Sequence, residues 1–89
     1  MVTIALVDDE QSILTSVSLS LESEGFEVDT FLNGVEALKA LESKKYDLGL
    51  FDIKMPKMDG NELLSKVRSS KVQSLKEMPI IFLTSKDHE

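Results

Sequence analysis

The chain has 89 residues, of which 42% are hydrophobic and 29% charged, so its length and composition allow one small globular domain at most. It has no cysteine, which excludes disulfides and thiolate metal sites, and no apolar run of the ~18 residues that a transmembrane helix needs. There is no basic segment typical of a signal peptide, and the net charge of −6 disfavours nucleic acid, so we expect a cytoplasmic chain that binds neither membrane nor nucleic acid directly.

Four short apolar segments predict β-strands, because runs of this length bounded by polar residues are typical of strands. Three of them are nearly continuous in apolar residues, which indicates parallel strands covered on both faces. The second alternates apolar and acidic residues, which predicts an edge strand with one wetter face. Gly49 either weakens the third strand or permits a close approach, and the sequence leaves both open. The segments span residues 3–7, 26–31, 47–51 and 80–83.

The first predicted helix lies within residues 10–25. The stretch also contains the alternation SVSLSL, which is typical of a strand. Its length and Gly25, a suitable C-terminal cap, favour a helix instead. The residues that share one face at helical spacing are Ile13, Leu14, Val17 and Leu21.

Two further helices begin at predicted N-caps. Asn33 is followed by Glu36, and Asp59 by Glu62, at the spacing of a capping box. Residues 71–79 are predicted to be a polar connection into the last strand. The apolar stripes of the two helices consist of Leu38 and Leu41 with either Val35 or Ala37, and of Leu63, Leu64 and Val67.

Alternating strands and helices predict an α/β fold with a parallel sheet and helices on both faces. Ligands of such sheets bind at the carboxyl ends of the strands. Asp8 and Asp9 end the first strand. Asp52 ends the third strand and Thr84 the fourth. If these strands are neighbours, three carboxylates converge near a hydroxyl.

Carboxylates that converge in this way repel one another unless a cation is present. The only histidine is His88, so we expect a hard, oxygen-liganded ion such as Mg²⁺, held by Asp8 and Asp9. Asp52 is placed to act as a nucleophile and become an aspartyl-phosphate, with Thr84 bonding a phosphate oxygen. Each residue alone is more often a turn former or helix cap, and only their conjunction favours a site.

Four segments occur together in the order and spacing of a known family: LVDDE, FLNGVEAL, YDLGLFDIKMPKMDG and MPIIFLTS. Through them, nearly the whole chain resembles the receiver domain of two-component response regulators. The resemblance implies a flavodoxin-like (CheY-like) doubly wound parallel sheet with strand order 2-1-3-4 in this chain. It also implies a signalling switch that takes a phosphoryl group from a sensor histidine kinase.

The resemblance implies a role for each residue of the metal site. Asp52 would accept the phosphoryl group and would also be a ligand of Mg²⁺, the implied cofactor. Asp9 would bind the ion directly, and Asp8 directly or through water. Lys54 would contribute its backbone carbonyl.

Three other positions follow from the same resemblance. Thr84 would be the switch hydroxyl that turns toward the phosphoryl group. Pro56 and Gly60 would shape the loop that leads into the third helix. The family also has a lysine at the end of a fifth strand. Lys86 does not lie at that position and is given no role.

The family's pattern continues beyond Glu89 with a fourth helix, a fifth strand and a fifth helix. Residues 1–89 are therefore expected to be the N-terminal two-thirds of a receiver domain. Without the fifth strand, residues 80–83 would form an open apolar edge. A homodimer, swapped or paired through this edge, is expected to cover it.

The sequence is compatible with three functions of this chain. The leading one is a phosphoacceptor switch that is not a turnover enzyme and controls an output, for example through a DNA-binding domain of a longer parent. The second is an assembly or dimerisation module without competent phosphotransfer. The third, a phosphohydrolase with an aspartate nucleophile, is disfavoured because that class carries a second acid two residues later, where this chain has Lys54.

Overall fold

The computed structural model describes residues 1–55 and 57–83. The strands of these described residues form one parallel sheet in the order β2-β1-β3-β4, which confirms the predicted α/β class and strand order. No helix within these ranges is long and apolar enough to cross a membrane. The elements in chain order are β1 (Thr3–Val7), α1 (Gln11–Ser23), β2 (Glu27–Phe31), α2 (Gly34–Ser43), β3 (Leu48–Asp52), α3 (Gly60–Arg68), α4 (Gln73–Lys76) and β4 (Ile80–Leu83).

Strand β1 lies in the middle of the molecule, and all five of its residues are buried. Successive side chains of a strand point to opposite faces of the sheet, so β1 supplies two cores. Ile4 and Leu6 pack with Leu14 of α1 on one face. Ala5 and Val7 belong to the larger cluster on the other face, which includes residues of α2, α3 and α4. The predicted cover of helices on both faces is thus confirmed.

Helix α1 ends in a Schellman motif built on Gly25. The φ of Gly25 is 96°, a conformation that costs glycine little. The Gly25 N–H donates to the Glu22 carbonyl at 3.0 Å, and the Phe26 N–H donates to the Leu21 carbonyl at 3.2 Å. The predicted cap is confirmed, and the alternating SVSLSL stretch is helical, as its length and this cap predicted.

The N-caps of α2 and α3 are also confirmed. Asn33 accepts a hydrogen bond from the Glu36 N–H, and Asp59 accepts one from the Glu62 N–H, each at 2.9 Å. The sequence left open whether Val35 or Ala37 belongs to the apolar face of α2. Ala37 does, because it is fully buried, whereas Val35 is 40% exposed.

The prediction that residues 71–79 form only a polar connection is wrong. This stretch contains the short helix α4, and it buries Leu75 and Met78 in the larger core. Arg68, the last residue of α3, links α3 to this stretch. Its Nη1 donates hydrogen bonds to the carbonyls of Lys76 and Met78, both at 2.9 Å. A single helical turn is too short to show a periodic apolar pattern, which is why the sequence did not reveal it.

Gly49 permits a close approach within β3. A Cβ at this position would lie 2.8 Å from the Phe51 ring and 3.2 Å from the Met78 methyl. Both distances are shorter than the van der Waals separation of two carbon atoms, and real Cβ atoms rarely come so close to a neighbour. The close approach therefore accounts for this glycine, which the sequence had left open.

The two outer strands differ in how they meet solvent. β2 is an edge strand as predicted, and Thr30, which lies on the same face of the strand as the half-buried Val28, is exposed. β4 pairs with β3 on one side, and within the described residues no strand pairs with its other side. Ile81 of β4 is 54% exposed. The open apolar edge, and the pairing of a second copy with it, stay predictions.

Candidate functional site

The register of β1 and β3 brings two aspartates side by side. Val7 pairs with Phe51, and each is followed directly by an aspartate, Asp8 and Asp52. Asp9 comes next in the chain. One carboxylate oxygen from each of Asp8, Asp9 and Asp52 lies within 4.8 Å of the others. The three predicted carboxylates therefore meet at the carboxyl edge of the sheet.

The three carboxylates differ in their surroundings. Asp8 and Asp52 are 2% and 4% exposed, whereas Asp9 is exposed to solvent. Asp8 accepts a hydrogen bond from the Glu10 N–H at 2.9 Å, and its own N–H donates to the Phe31 carbonyl at 3.1 Å. The N-cap of α1 is Glu10, so neither Asp8 nor Asp9 occupies the position of a helix cap.

These carboxylates fit a small divalent cation. Mg²⁺ binds oxygen at about 2.1 Å, so two of its ligands lie no more than about 4.2 Å apart. The separations of up to 4.8 Å between the aspartate oxygens come close to this limit, and small side-chain rotations would reach it. Asp9, the exposed member of the three, places the group at the surface, where a Mg²⁺ ion could keep some of its waters.

The backbone directly after Asp52 is held against the start of α3. The Gly60 N–H donates to the Ile53 carbonyl at 2.9 Å. A Cβ at Gly60 would lie 2.5 Å from the Asp52 carbonyl oxygen, closer than any side chain can come. Only glycine allows this approach, so Gly60 sets how α3 begins relative to Asp52. This is how the structure places the predicted loop-shaping residue.

The connection between β3 and α3 contains two features that the sequence analysis missed. Lys57 has a φ of 66°, which is uncommon for a residue with a side chain. Met58 is buried and packs against Gly34, the first residue of α2, where an added Cβ would lie 2.9 Å from the Met58 carbonyl oxygen. The sequence signal for this contact was Gly34 itself. Glycine is a poor helix former, and most other residues can occupy the first position of a helix.

Several predicted roles stay predictions. Lys54 is exposed two residues after Asp52, and the binding of its carbonyl to a metal is not tested by this arrangement. Pro56, Thr84 and Lys86 lie outside the described residues. Leu83, the residue before Thr84, pairs with Asp52 in the sheet.

The chain resembles proteins of one family over nearly its whole length. The response regulator receiver domain family matches residues 4–89. The alkaline phosphatase synthesis transcriptional regulatory protein PhoP of Bacillus subtilis (strain 168) is 43% identical over 86 residues, which are 97% of this chain and 34% of that protein. The chain spans about a third of the length of PhoP and of two further curated relatives, and less than a fifth of two others.

Two solved structures of the response regulator TrrA share the fold. TrrA from Thermotoga maritima in complex with Mg²⁺-BeF is 41% identical with a TM-score of 0.84, over 92% of this chain and 68% of that chain. TrrA in complex with the histidine kinase ThkA is 42% identical with a TM-score of 0.86, over 99% of this chain and 72% of that chain. Together with the family match and the strand order, they confirm the resemblance drawn from the motifs. The chain belongs to the response regulator receiver domain family.

Proposed function

We propose that this chain is the phosphoacceptor switch of a two-component system, in which Asp52 takes a phosphoryl group from a sensor histidine kinase. The convergence of Asp8, Asp9 and Asp52 at the carboxyl edge of the sheet carries this proposal. Asp52 ends a buried strand that is paired on both sides, which fixes the backbone that carries its carboxylate. Fixed placement of a nucleophile is what a transfer step between two proteins requires.

The chemistry follows from the positions of these groups. A carboxylate oxygen of Asp52 attacks the phosphorus of a phosphohistidine, the O–P bond forms, and the N–P bond breaks with its electron pair returning to the imidazole. Asp8, Asp9 and Asp52, with the Lys54 carbonyl, would hold Mg²⁺, which when bound neutralises negative charge on the phosphoryl oxygens. Thr84 would donate to one of those oxygens. The TrrA structures with Mg²⁺-BeF and with a histidine kinase support both the ion and the partner.

The output of the switch lies beyond the phosphoryl transfer itself. Because PhoP is a transcriptional regulatory protein and this chain spans a third of it, we propose that the chain controls transcription through further sequence of a longer parent. We propose that it acts in the cytoplasm. It performs one self-modifying step and its reversal, so it is not a turnover enzyme.

A matched pair of variants tests the proposal. The wild-type chain, Asp52→Asn and Asp59→Asn are each incubated with a small-molecule phosphodonor and Mg²⁺ and then weighed intact by mass spectrometry. Asp59 lies in the same connection, and asparagine is as good an N-cap as aspartate, so this control keeps α3.

We expect wild type and Asp59→Asn to gain a single phosphoryl group and Asp52→Asn to gain none. An increment of equal size in Asp52→Asn would refute Asp52 as the acceptor. Rapid release of free phosphate with little adduct would indicate a phosphohydrolase instead.

A second candidate is an assembly module that acts through contacts rather than phosphotransfer. The exposed edge of β4, with Ile81 54% exposed, favours it, because an unpaired strand edge is a template for a strand of another copy. The Asp52→Asn variant distinguishes the two candidate functions. Asp52→Asn removes phosphoryl acceptance and leaves pairing through β4 unchanged.

A further inference from the structure

The connection between β3 and α3 is in contact with the first residue of α2. A Cβ built on Gly34 would lie 2.9 Å from the Met58 carbonyl oxygen, 3.1 Å from its Cβ and 3.2 Å from its Cγ. Gly34 and Met58 are both buried. Because the nearest atom belongs to the backbone, a side chain at residue 34 fits only if α2 or the connection moves.

The same connection is held a second time near its other end. The Gly60 N–H donates to the Ile53 carbonyl at 2.9 Å, and Gly60 itself lies against the Asp52 carbonyl. Between these contacts the chain passes through Lys57 with its φ of 66°. A conformation that is unfavourable for a residue with a side chain persists only where the surroundings hold it in place. The Gly34 and Gly60 contacts supply that support.

We propose that Gly34 is a positioning residue for the metal site, and that its contact with Met58 fixes the path of the chain from Asp52 to α3. The inference rests on the proposed function, because the site it serves is the predicted Mg²⁺ site. Gly34 is outside the predicted ligand set, so its effect passes through the connection. Moving that connection would displace the Lys54 carbonyl relative to the aspartates.

The test compares Gly34→Ala with Gly25→Ala. Gly25 has a φ of 96°, so alanine strains the backbone there too. It lies between α1 and β2, at the amino ends of the strands and away from the aspartates. A general loss of stability therefore affects both variants, whereas a change of the metal site separates them.

Two measurements are made on each variant. Hydrogen exchange of the Gly60 amide, followed by NMR without metal, measures how firmly the connection is held, because this amide bonds to the Ile53 carbonyl. Calorimetric titration with MgCl₂ measures the affinity for the ion. The first measurement does not depend on the proposed function, and the second does.

We expect Gly34→Ala to speed exchange of the Gly60 amide and to weaken Mg²⁺ binding about tenfold, the lower end for residues that support metal ligands. Gly25→Ala should match wild type in Mg²⁺ affinity, and its Gly60 exchange should change by no more than its loss of global stability accounts for. Unchanged exchange and affinity in Gly34→Ala would overturn the proposal. Absence of Mg²⁺ binding in wild type would contradict the proposed function, and Gly60 exchange would still decide whether Gly34 positions the connection.

Met58→Ala provides a second route to the same contact. It removes the Met58 side chain without adding an atom at residue 34, so it serves if Gly34→Ala does not fold. Faster exchange of the Gly60 amide is expected, since one side of the contact is lost. Exchange at the wild-type rate in Met58→Ala would count against a positioning contact between α2 and the connection.

Discussion

Asp8 and Asp52 are 2% and 4% exposed, so two carboxylates are removed from water at adjacent strand ends. Burial of a charge is unfavourable, and a neighbouring like charge adds to its cost. The hydrogen bond that Asp8 accepts from the Glu10 N–H offsets part of this cost. A bound cation would offset more of it, so we expect metal binding to stabilise the fold as well as the site.

Lys57 adopts a φ of 66°, which asparagine tolerates better than lysine does. We expect Lys57→Asn to raise the free energy of unfolding by about 0.5–1 kcal/mol, measured by urea denaturation. Lys71→Asn is the control, because it removes the same charge at another exposed lysine where φ is not positive. Equal effects of the two substitutions would show that charge rather than backbone strain is responsible.

Tyr46 joins the connection between α2 and β3 to the edge strand β2. Its hydroxyl donates to Asp29 Oδ2 at 2.6 Å, and Lys44 Nζ donates to the same oxygen at 3.0 Å. The Tyr46 hydrogen bond is the main cause that lowers the pKa of Asp29, against an opposing effect of burial. Burial, followed by the bond to Asp29, raises the pKa of Tyr46 above its usual 10.0.

These pKa shifts predict how stability depends on pH. Tyr46→Phe should lower the free energy of unfolding by about 1 kcal/mol at neutral pH, because one hydrogen bond to a partly exposed carboxylate is lost. The pKa of Asp29 is lower folded than unfolded, so its contribution is present above pH 3.8 and is lost as the pH falls through the lower, folded value. The pKa of Tyr46 is higher folded than unfolded, so wild type loses stability as the pH rises above 10.0.

Urea unfolding of wild type and Tyr46→Phe at neutral, acidic and alkaline pH checks this. The difference between the two proteins should be largest near neutral pH and shrink toward both extremes. A difference that stays constant across the pH range would contradict the assigned hydrogen bond.

The elements that could be predicted from the sequence are those set by nearby residues. The Asn33 and Asp59 caps each depend on a partner three positions away, and strand ends follow from apolar runs. Helix α4 could not be predicted, because its burial depends on Leu75 meeting a core formed by distant segments. The Gly34 contact with Met58 likewise joins segments far apart in the chain, so the glycine at the start of α2 can signal a close approach but cannot identify Met58 as its partner.

The meeting of the aspartates was only partly predictable. The residue pattern places Asp8, Asp9 and Asp52 at strand ends, but their proximity requires β1 to lie beside β3. That neighbourhood was implied by the resemblance to receiver domains rather than by periodicity or spacing. Once the register is known, the pairing of Val7 with Phe51 is sufficient to bring Asp8 next to Asp52.

At the scale of the whole sheet, no strand of the described residues pairs with the outer side of β4, where Ile81 is 54% exposed. We expect the 89-residue chain to self-associate as its concentration rises, because an unpaired apolar strand edge can pair with another copy. Ile81→Lys should reduce this association in sedimentation velocity experiments. Leu19→Lys, at a residue of α1 that is 62% exposed, is the control and should leave it unchanged.

A wild-type chain that stays monomeric over the whole concentration range would contradict pairing through β4. Equal reduction by Ile81→Lys and Leu19→Lys would point to general charge repulsion instead. The phosphoacceptor proposal does not depend on either result, since the three aspartates come from one chain.

The Mg²⁺ dependence of phosphorylation tests the proposed site most directly, because it requires the nucleophile and the metal ligands to act together. The phosphorylated fraction of wild type, Asp9→Asn and the exposed control Glu24→Gln is measured by intact mass, with a small phosphodonor and increasing MgCl₂ or a chelator. We predict that wild type and Glu24→Gln gain one phosphoryl group only when Mg²⁺ is present, and that Asp9→Asn requires much more Mg²⁺. Equal phosphorylation with chelator and with Mg²⁺ would contradict the proposed Mg²⁺ site. An Asp9→Asn variant that needs no more Mg²⁺ than wild type would contradict the role of Asp9 as a metal ligand.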